Sequence, residues 1–170
     1  MRTEEKPAVQ WDGFAKACPE LAARAKERFA KDEVVVVGTL RKDGSPRISP
    51  VEPDFARGHL FLGMMWQSKK ALDLLRDPRC AVHSVPTDRL NPGGDVKLSG
   101  LAVDVQDSEL REAFRDAIRA RIDWAPDEPN YHLFSIDIQA AAYVRFDEQI
   151  RESWRWTPGD GLRKEVRPND

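Results

Sequence analysis

The stretch "EVVVVGTLRKDGSPRISPVEPDF", residues 33–55, limits the fold more than any other part of this chain. A β-branched run reads as a buried strand, and Asp43-Gly44 supplies the positive backbone angles of a tight turn, so the chain must fold back as a hairpin. The returning strand carries Pro50 and Pro53, which cannot donate ladder hydrogen bonds and therefore belong at an edge or a bulge. After the turn at "ARG", "HLFLGMM" (59–65) is a third strand, and the three make an antiparallel meander. "CAVHSV" and "DVKLSGLAVDVQ" add two more strands around the breaker-rich "PTDRLNPGG". "YHLFSIDIQAAAYVRF" and "ESWRWTPGDGLRKEV" are also strand-like, the second with a hairpin at Pro158–Gly161.

Helical spacing is confined to three places. From Trp11 to Lys31, Phe14, Cys18, Leu21, Ala22, Ala25 and Phe29 form one apolar face, broken near Pro19, that suits a helix laid over a sheet. Ala71, Leu72, Leu74 and Leu75 bury one side of two turns that Pro78 ends. Ser108 reads as the N-cap of a helix carrying Leu110, Phe114, Ala117 and Ile118 and running to about Arg121. The β-α-β-α alternation of a parallel sheet is missing. The pattern predicts a mainly β fold with peripheral helices, an antiparallel barrel. The 170 residues suit one domain: an N-terminal helical segment (1–32), a barrel (33–160) and a polar tail (161–170) that is expected to fray.

Charge narrows the partners. The 27 basic and 29 acidic residues nearly cancel and no block of five like charges occurs, which speaks against nucleic acid or an anionic membrane surface. A small molecule or a protein partner is expected. Apolar runs are too short to cross a bilayer and residues 1–10 are charged rather than apolar, so a cytoplasmic protein without a signal peptide is expected. Cys18 and Cys80 form no C-x-x-C pair, and His59, His83 and His132 lack metal-site spacing, so no metal is assigned. Glu52 and Asp54 read as a solvated pair near a bulge.

The chemistry concentrates in "MMWQSKKALDLLRDPRC", residues 64–80. Ser68 is placed to cap a helix whose first turn holds Lys69 and Lys70, where the dipole disfavours cations by about 0.3–1 kcal/mol. The open amides of a helix N-terminus bind anions, and a bound phosphate would turn the two lysines into partners. A solvated lysine pair is the plain alternative.

Together with the preceding meander, Ser68-Lys69-Lys70 opening a short helix and Asp77-Pro78-Arg79 closing it resemble the pyridoxamine 5′-phosphate oxidase-like flavin-binding split-barrel family. The likeness runs from about Glu33 to Gln106 and more loosely to Trp156. It implies a split β-barrel homodimer with flavin mononucleotide (FMN) at the subunit interface, and a flavin-dependent oxidoreductase. It further implies that Arg47 and Ser49 on the second strand, with Ser68, Lys69 and Lys70, hold the phosphate, and that Ile48 between them is also a cofactor-binding residue. Met64 and Met65 match positions whose backbone lies beside the flavin ring, although two core or interface methionines would look the same.

"DVKLSGLA" resembles the family strand Q-V-R-I-x-G-x-A, which puts Lys97 on an arginine-like cofactor position. Asp95 departs from the glutamine there, and an ionised carboxylate cannot donate the amide's hydrogen bond. Trp154 and Trp156 share one face of a strand. By resemblance Trp154 would reach the partner's cofactor; the alternative is an aromatic pair closing the barrel or the dimer interface. Trp66 is either a lid or a packing residue. The family's R-L-H-D-R-type substrate sequence is missing, so pyridoxamine phosphate oxidation is not expected. Two other cofactor readings stand beside FMN. One is a deazaflavin coenzyme with its charged tail near Arg24, Lys26 and Arg28, although these also fit a solvated helix face. The other is a non-catalytic flavin or haem binder.

Overall fold

The structure, a computed structural model, describes residues 6–87 and 89–169. Residues 1–5 of the expected N-terminal segment and residue 170 of the expected tail lie outside the described residues. The chain opens with α1 (Trp11–Ala17) and α2 (Pro19–Lys31), which part at Cys18, where φ −143° and ψ 68° leave the helical region. Pro19 heads α2, where its missing N–H costs nothing. The buried side of the pair is Phe14, Leu21, Ala25 and Phe29.

Strands β1 (Val35–Leu40) and β2 (Pro46–Val51) form the expected hairpin. Gly44 alone in its turn takes a positive φ, 83°; Asp43 instead accepts hydrogen bonds from the N–H and Oγ of Ser45. Then follow β3 (Pro53–Ala56), β4 (His59–Met65), α3 (Lys69–Arg76), β5 (Arg79–Ser84), β6 (Asp95–Asp104), α4 (Ser108–Ile122), β7 (Tyr131–Phe146), β8 (Ile150–Thr157) and β9 (Gly161–Pro168). The sheet order is β2-β1-β5-β6-β7-β4-β3, all antiparallel, with β8 and β9 continuing outward from β7.

The two ends of that order, β2 and β3, are consecutive in the chain, separated only by Glu52. The returning strand is thus one bent segment that pairs β1 with its first half and β4 with its second, and the sheet closes on itself there. Pro50 and Pro53 flank the bend, where missing ladder donors do least harm. The expected meander therefore forms, but β4 finds its other neighbour in β7, far along the chain.

Inside the barrel Val35, Val37, Leu60, Leu62, Val82, Ile136 and Ile138 are fully buried, each adding about 1.5–3 kcal/mol. At the β6–β7 bulge, a Cβ on Gly100 would lie 1.9 Å from the Asp137 carbonyl oxygen, so only glycine fits. A second cluster, Phe61, Phe114, Ile118, Tyr131 and Leu133, holds α4 against β4 and β7. Its cap is Asp107 rather than Ser108: Asp107 Oδ1 accepts the Leu110 N–H at 2.9 Å. The end of the chain also departs from expectation, because residues 161–168 pair with β8 along its whole length instead of fraying. Among the described residues no helix is long and apolar enough to cross a membrane.

Candidate functional site

At the end of β4 the chain turns through Gln67, with φ 58°, and Ser68 takes the N-cap of α3. The turn is closed by a hydrogen bond from Ser68 N–H to Met65 O (3.1 Å), and the helix by one from Leu72 N–H to Ser68 O (3.0 Å). The Ser68 side chain makes no capping bond, and its Oγ is buried without a partner. Such an orphan costs about 1–3 kcal/mol unless a ligand or water satisfies it. Beside it the first amides of α3 have no intrahelical acceptor. Lys70 Nζ donates to Pro50 O at 2.6 Å, and burial pulls its pKa down. Lys69 points outward and is exposed.

Arg47 and Ser49 lie on the inward face of β2, half-buried, whereas Ile48 points outward and is 76% exposed. Arg47 Nε donates to Asp73 Oδ2 at 2.6 Å, Thr39 Oγ1 donates to the same oxygen at 2.9 Å, and Arg76 donates to Oδ1 at 3.0 Å. Burial alone would raise the Asp73 pKa, but the bonds from Arg47, Arg76 and Thr39 outweigh it and hold the group below its ordinary range. Arg47 thus first serves to fasten α3.

A cleft of about 560 Å³ opens between the β2–β3 bend, the end of β4, the start of α3 and the flank of α4. Lys70, Met64, Met65 and Trp66 line it, and Phe114, Ile118 and Trp124 form the opposite wall. Met64 is buried, while Met65 is 79% exposed. Gly63 lets the α4 wall approach, since a Cβ there would stand 2.5 Å from Phe114 Cζ. Trp66 stacks on His132 (centroids 4.6 Å apart, planes at 7°), so it partitions this cleft from a second pocket. His132 Nε2 accepts the Gln67 N–H at 3.2 Å, and burial lowers its pKa.

Glu52 and Asp54 are not a solvated pair. Asp54 is buried and Arg121 of α4 binds both, with Nε 3.1 Å from Asp54 Oδ1 and Nη2 3.3 Å from Glu52 Oε2. Burial is the largest influence on Asp54 and pushes its pKa up, against the pull of Arg121. The α4 wall was hidden from sequence reasoning because Phe114 and Ile118 have the spacing of any core-facing helix. Arg121 gave no signal.

Met64, Met65 and Lys70 therefore line the cleft together, with Ser68 and Lys69 at the adjoining start of α3, whereas Arg47 reaches α3 only at Asp73 and Ser49 follows it on the same face of β2. Lys97 is not among them: it is exposed on the outer face of β6, separated from β2 by β5 and β1. Asp95 accepts a hydrogen bond from Asn91 Nδ2. Trp154 lies in this chain's own core, its ring buried edge-on to Tyr143 at 5.3 Å and its Nε1–H donating to Glu152 Oε1 at 2.7 Å. Arg24 and Arg28 are engaged in packing rather than in a groove, and Lys26 alone keeps the exposure of a solvated face. Arg24 lies over the rings of Tyr143 and Trp154, Lys26 lies over Phe55, and buried Arg28 donates to Val85 O and Asn91 Oδ1.

Known structures share this architecture. An FMN-binding protein related to pyridoxamine 5′-phosphate oxidase from Nostoc punctiforme aligns with a TM-score of 0.61 at 16% identity, over 87% of this chain and 94% of that one. The haem storage protein HutZ of Vibrio cholerae gives 0.59 at 17% identity, over 69% and 89%. PhzG of Burkholderia lata, solved with tetrahydrophenazine-1-carboxylic acid, gives 0.63 at 13% identity, over 94% and 93%. At these identities the likeness is one of fold. A comparison with curated proteins gives no match. Residues 21–145, which span α2 through β7 and contain the whole α3 cradle, match the family described as pyridoxamine 5′-phosphate oxidase, and the chain belongs to that family.

Proposed function

We propose that this chain binds FMN with the phosphate at the N-terminus of α3, and that it is an oxidoreductase passing hydride or electrons between a reduced donor and a small organic acceptor. The observation that carries this reading is the buried, unpartnered Ser68 Oγ beside the open α3 amides and Lys70 at the mouth of the cleft. A phosphate would satisfy all three, since its oxygens accept from hydroxyl, amide and ammonium donors together. Lys69, exposed at the rim, would add charge, and Arg47, fastened through Nε, would support the cradle from below.

When bound, the flavin ring supplies the redox chemistry. The chain's own contribution is position and exclusion of water. The backbone at Met64 and Met65 would lie along the ring, and the Phe114–Ile118 wall keeps the opposite side apolar. A homodimer fits this reading, because Ile48 and Pro50 leave an apolar stretch exposed on the outer face of β2. Cytoplasmic location is part of the same proposal. The deazaflavin alternative loses its expected basic groove, since Arg24 and Arg28 are engaged in packing.

The test is a titration with FMN and with riboflavin, which lacks the phosphate, on wild type and on a Lys69→Ala/Lys70→Ala variant. FMN binding should weaken about tenfold or more while riboflavin changes little, each lost charged hydrogen bond being worth about 1.5–3 kcal/mol. Equal weakening of both ligands would remove the phosphate assignment. Turnover with reduced nicotinamide and a panel of quinones and aldehydes then separates an enzyme from a binder: full FMN occupancy without turnover favours a carrier or sensor.

A further inference from the structure

The outer face of the β8–β9 ribbon carries a pattern that packing does not explain. Trp154 and Trp156 turn inward, so Arg151, Ser153 and Arg155 turn outward, and the antiparallel register sets Arg151 directly opposite Arg167 and Arg155 directly opposite Arg163. Like charges directly opposite one another destabilise a sheet, whereas an arginine facing a glutamate would stabilise it and protect the edge strand equally well. On the inner face no like charges oppose each other, Glu152 facing Val166 and Lys164 facing Trp154, and the charged groups there find opposite partners on neighbouring elements, Glu152 with Arg145 of β7 and Lys164 with Glu20 of α2.

On the outer face Arg167 meets Glu165 and Arg163 meets Asp160, but among the described residues neither Arg151 nor Arg155 forms an ion pair. A hollow of about 380 Å³ lies at the first pair, lined by Arg151, Arg167, Pro168 and Asn169. The cationic row continues across the sheet, because Arg155 pairs with Ala142 and Ala142 with Lys97.

We propose that this face is an anion-binding surface for an elongated small molecule carrying at least two carboxylate or phosphate groups. The two arginine pairs are four residues apart along the strand, about 13 Å, so they suit separate anionic groups rather than one compact ion. Guanidinium forks bind carboxylate and phosphate alike, so both sources share this chemistry. The proposal does not depend on flavin binding.

Calorimetric titrations at about 50 mM and 200 mM salt with tripolyphosphate and with a tetraglutamate peptide, on protein saturated with FMN or left without it, test the surface. Wild type should bind at least one probe, more weakly at the higher salt. Arg151→Gln/Arg155→Gln should lose about tenfold or more in affinity, and Arg163→Gln should lose less because Asp160 already offsets that charge. The same variants should melt no lower than wild type, since an unfavourable juxtaposition is relieved, and should keep the wild-type affinity for FMN. The probe that binds identifies carboxylate or phosphate as the source. Binding of neither probe by wild type, or undiminished binding by the double variant, would overturn the proposal.

Discussion

Arg47 on β2 donates to Asp73 on α3 at 2.6 Å, so the helix that caps the candidate phosphate site is tied to the barrel by a half-buried ion pair. Thr39 and Arg76 bind the same carboxylate. Asp73→Asn should leave both arginines without their charge partner and cost about 1–3 kcal/mol in denaturant unfolding. A variant as stable as wild type would show that the pair is incidental.

The same group sets a pH dependence. The folded-state pKa of Asp73 lies below its ordinary value of 3.8, so its contribution is fully present above that value and is lost as pH falls through the folded pKa. Asp77 acts with the same sign, its hydrogen bond from Arg79 holding it at about 2. Unfolding curves between pH 4 and about 2 should be steeper for wild type than for Asp73→Asn. Parallel slopes would mean that Asp73 titrates normally in the fold.

Ser68→Ala separates a ligand contact from a structural cap. The hydroxyl caps nothing and is buried without a partner, so its removal should leave the ligand-free protein at least as stable as wild type. FMN affinity should fall about three- to tenfold. A large loss of stability with unchanged FMN binding would reverse the assignment.

The α4 wall depends on Gly63. In Gly63→Ala the new methyl would meet Phe114 at 2.5 Å and force the ring back, at a cost of about 1–3 kcal/mol. Adding Phe114→Leu should recover part of it. Failure of the second substitution to help would place the strain elsewhere.

Trp154 is predicted to act through packing alone. Trp154→Ala should cost about 3–5 kcal/mol. Trp154→Phe, which keeps a ring but loses the bond to Glu152, should cost about 1 kcal/mol and leave FMN affinity within about twofold. A fall in affinity at unchanged stability would return Trp154 to the cofactor site.

Much of the barrel was legible in the sequence because its signals are local. The Gly44 turn, the two prolines at the bend and the 3.6-residue spacing of Phe14 to Phe29 each act within a few residues. Long-range pairing left no such trace. That β4 would join β7, or that Arg121 would reach back to Asp54, depends on how the sheet curls, and neither partner is marked by its own neighbours. The lysine pair behind Ser68 was visible as a conflict between charge and helix dipole. Trp154 was ambiguous for the opposite reason, since alternation says that it faces Trp156's side but not whether that side is a core or an interface.

The bend at Glu52 has a last consequence. Wherever a cylinder of strands is closed by a single kinked segment, that segment is the place where it can most readily unzip. The cleft sits over this seam, with Pro50, Val51, Glu52 and Lys70 on its rim, so a molecule lodged there would bridge the two halves like a clasp. Occupancy should then be felt in amide hydrogen exchange along residues 46–56 before it is felt anywhere else in the sheet.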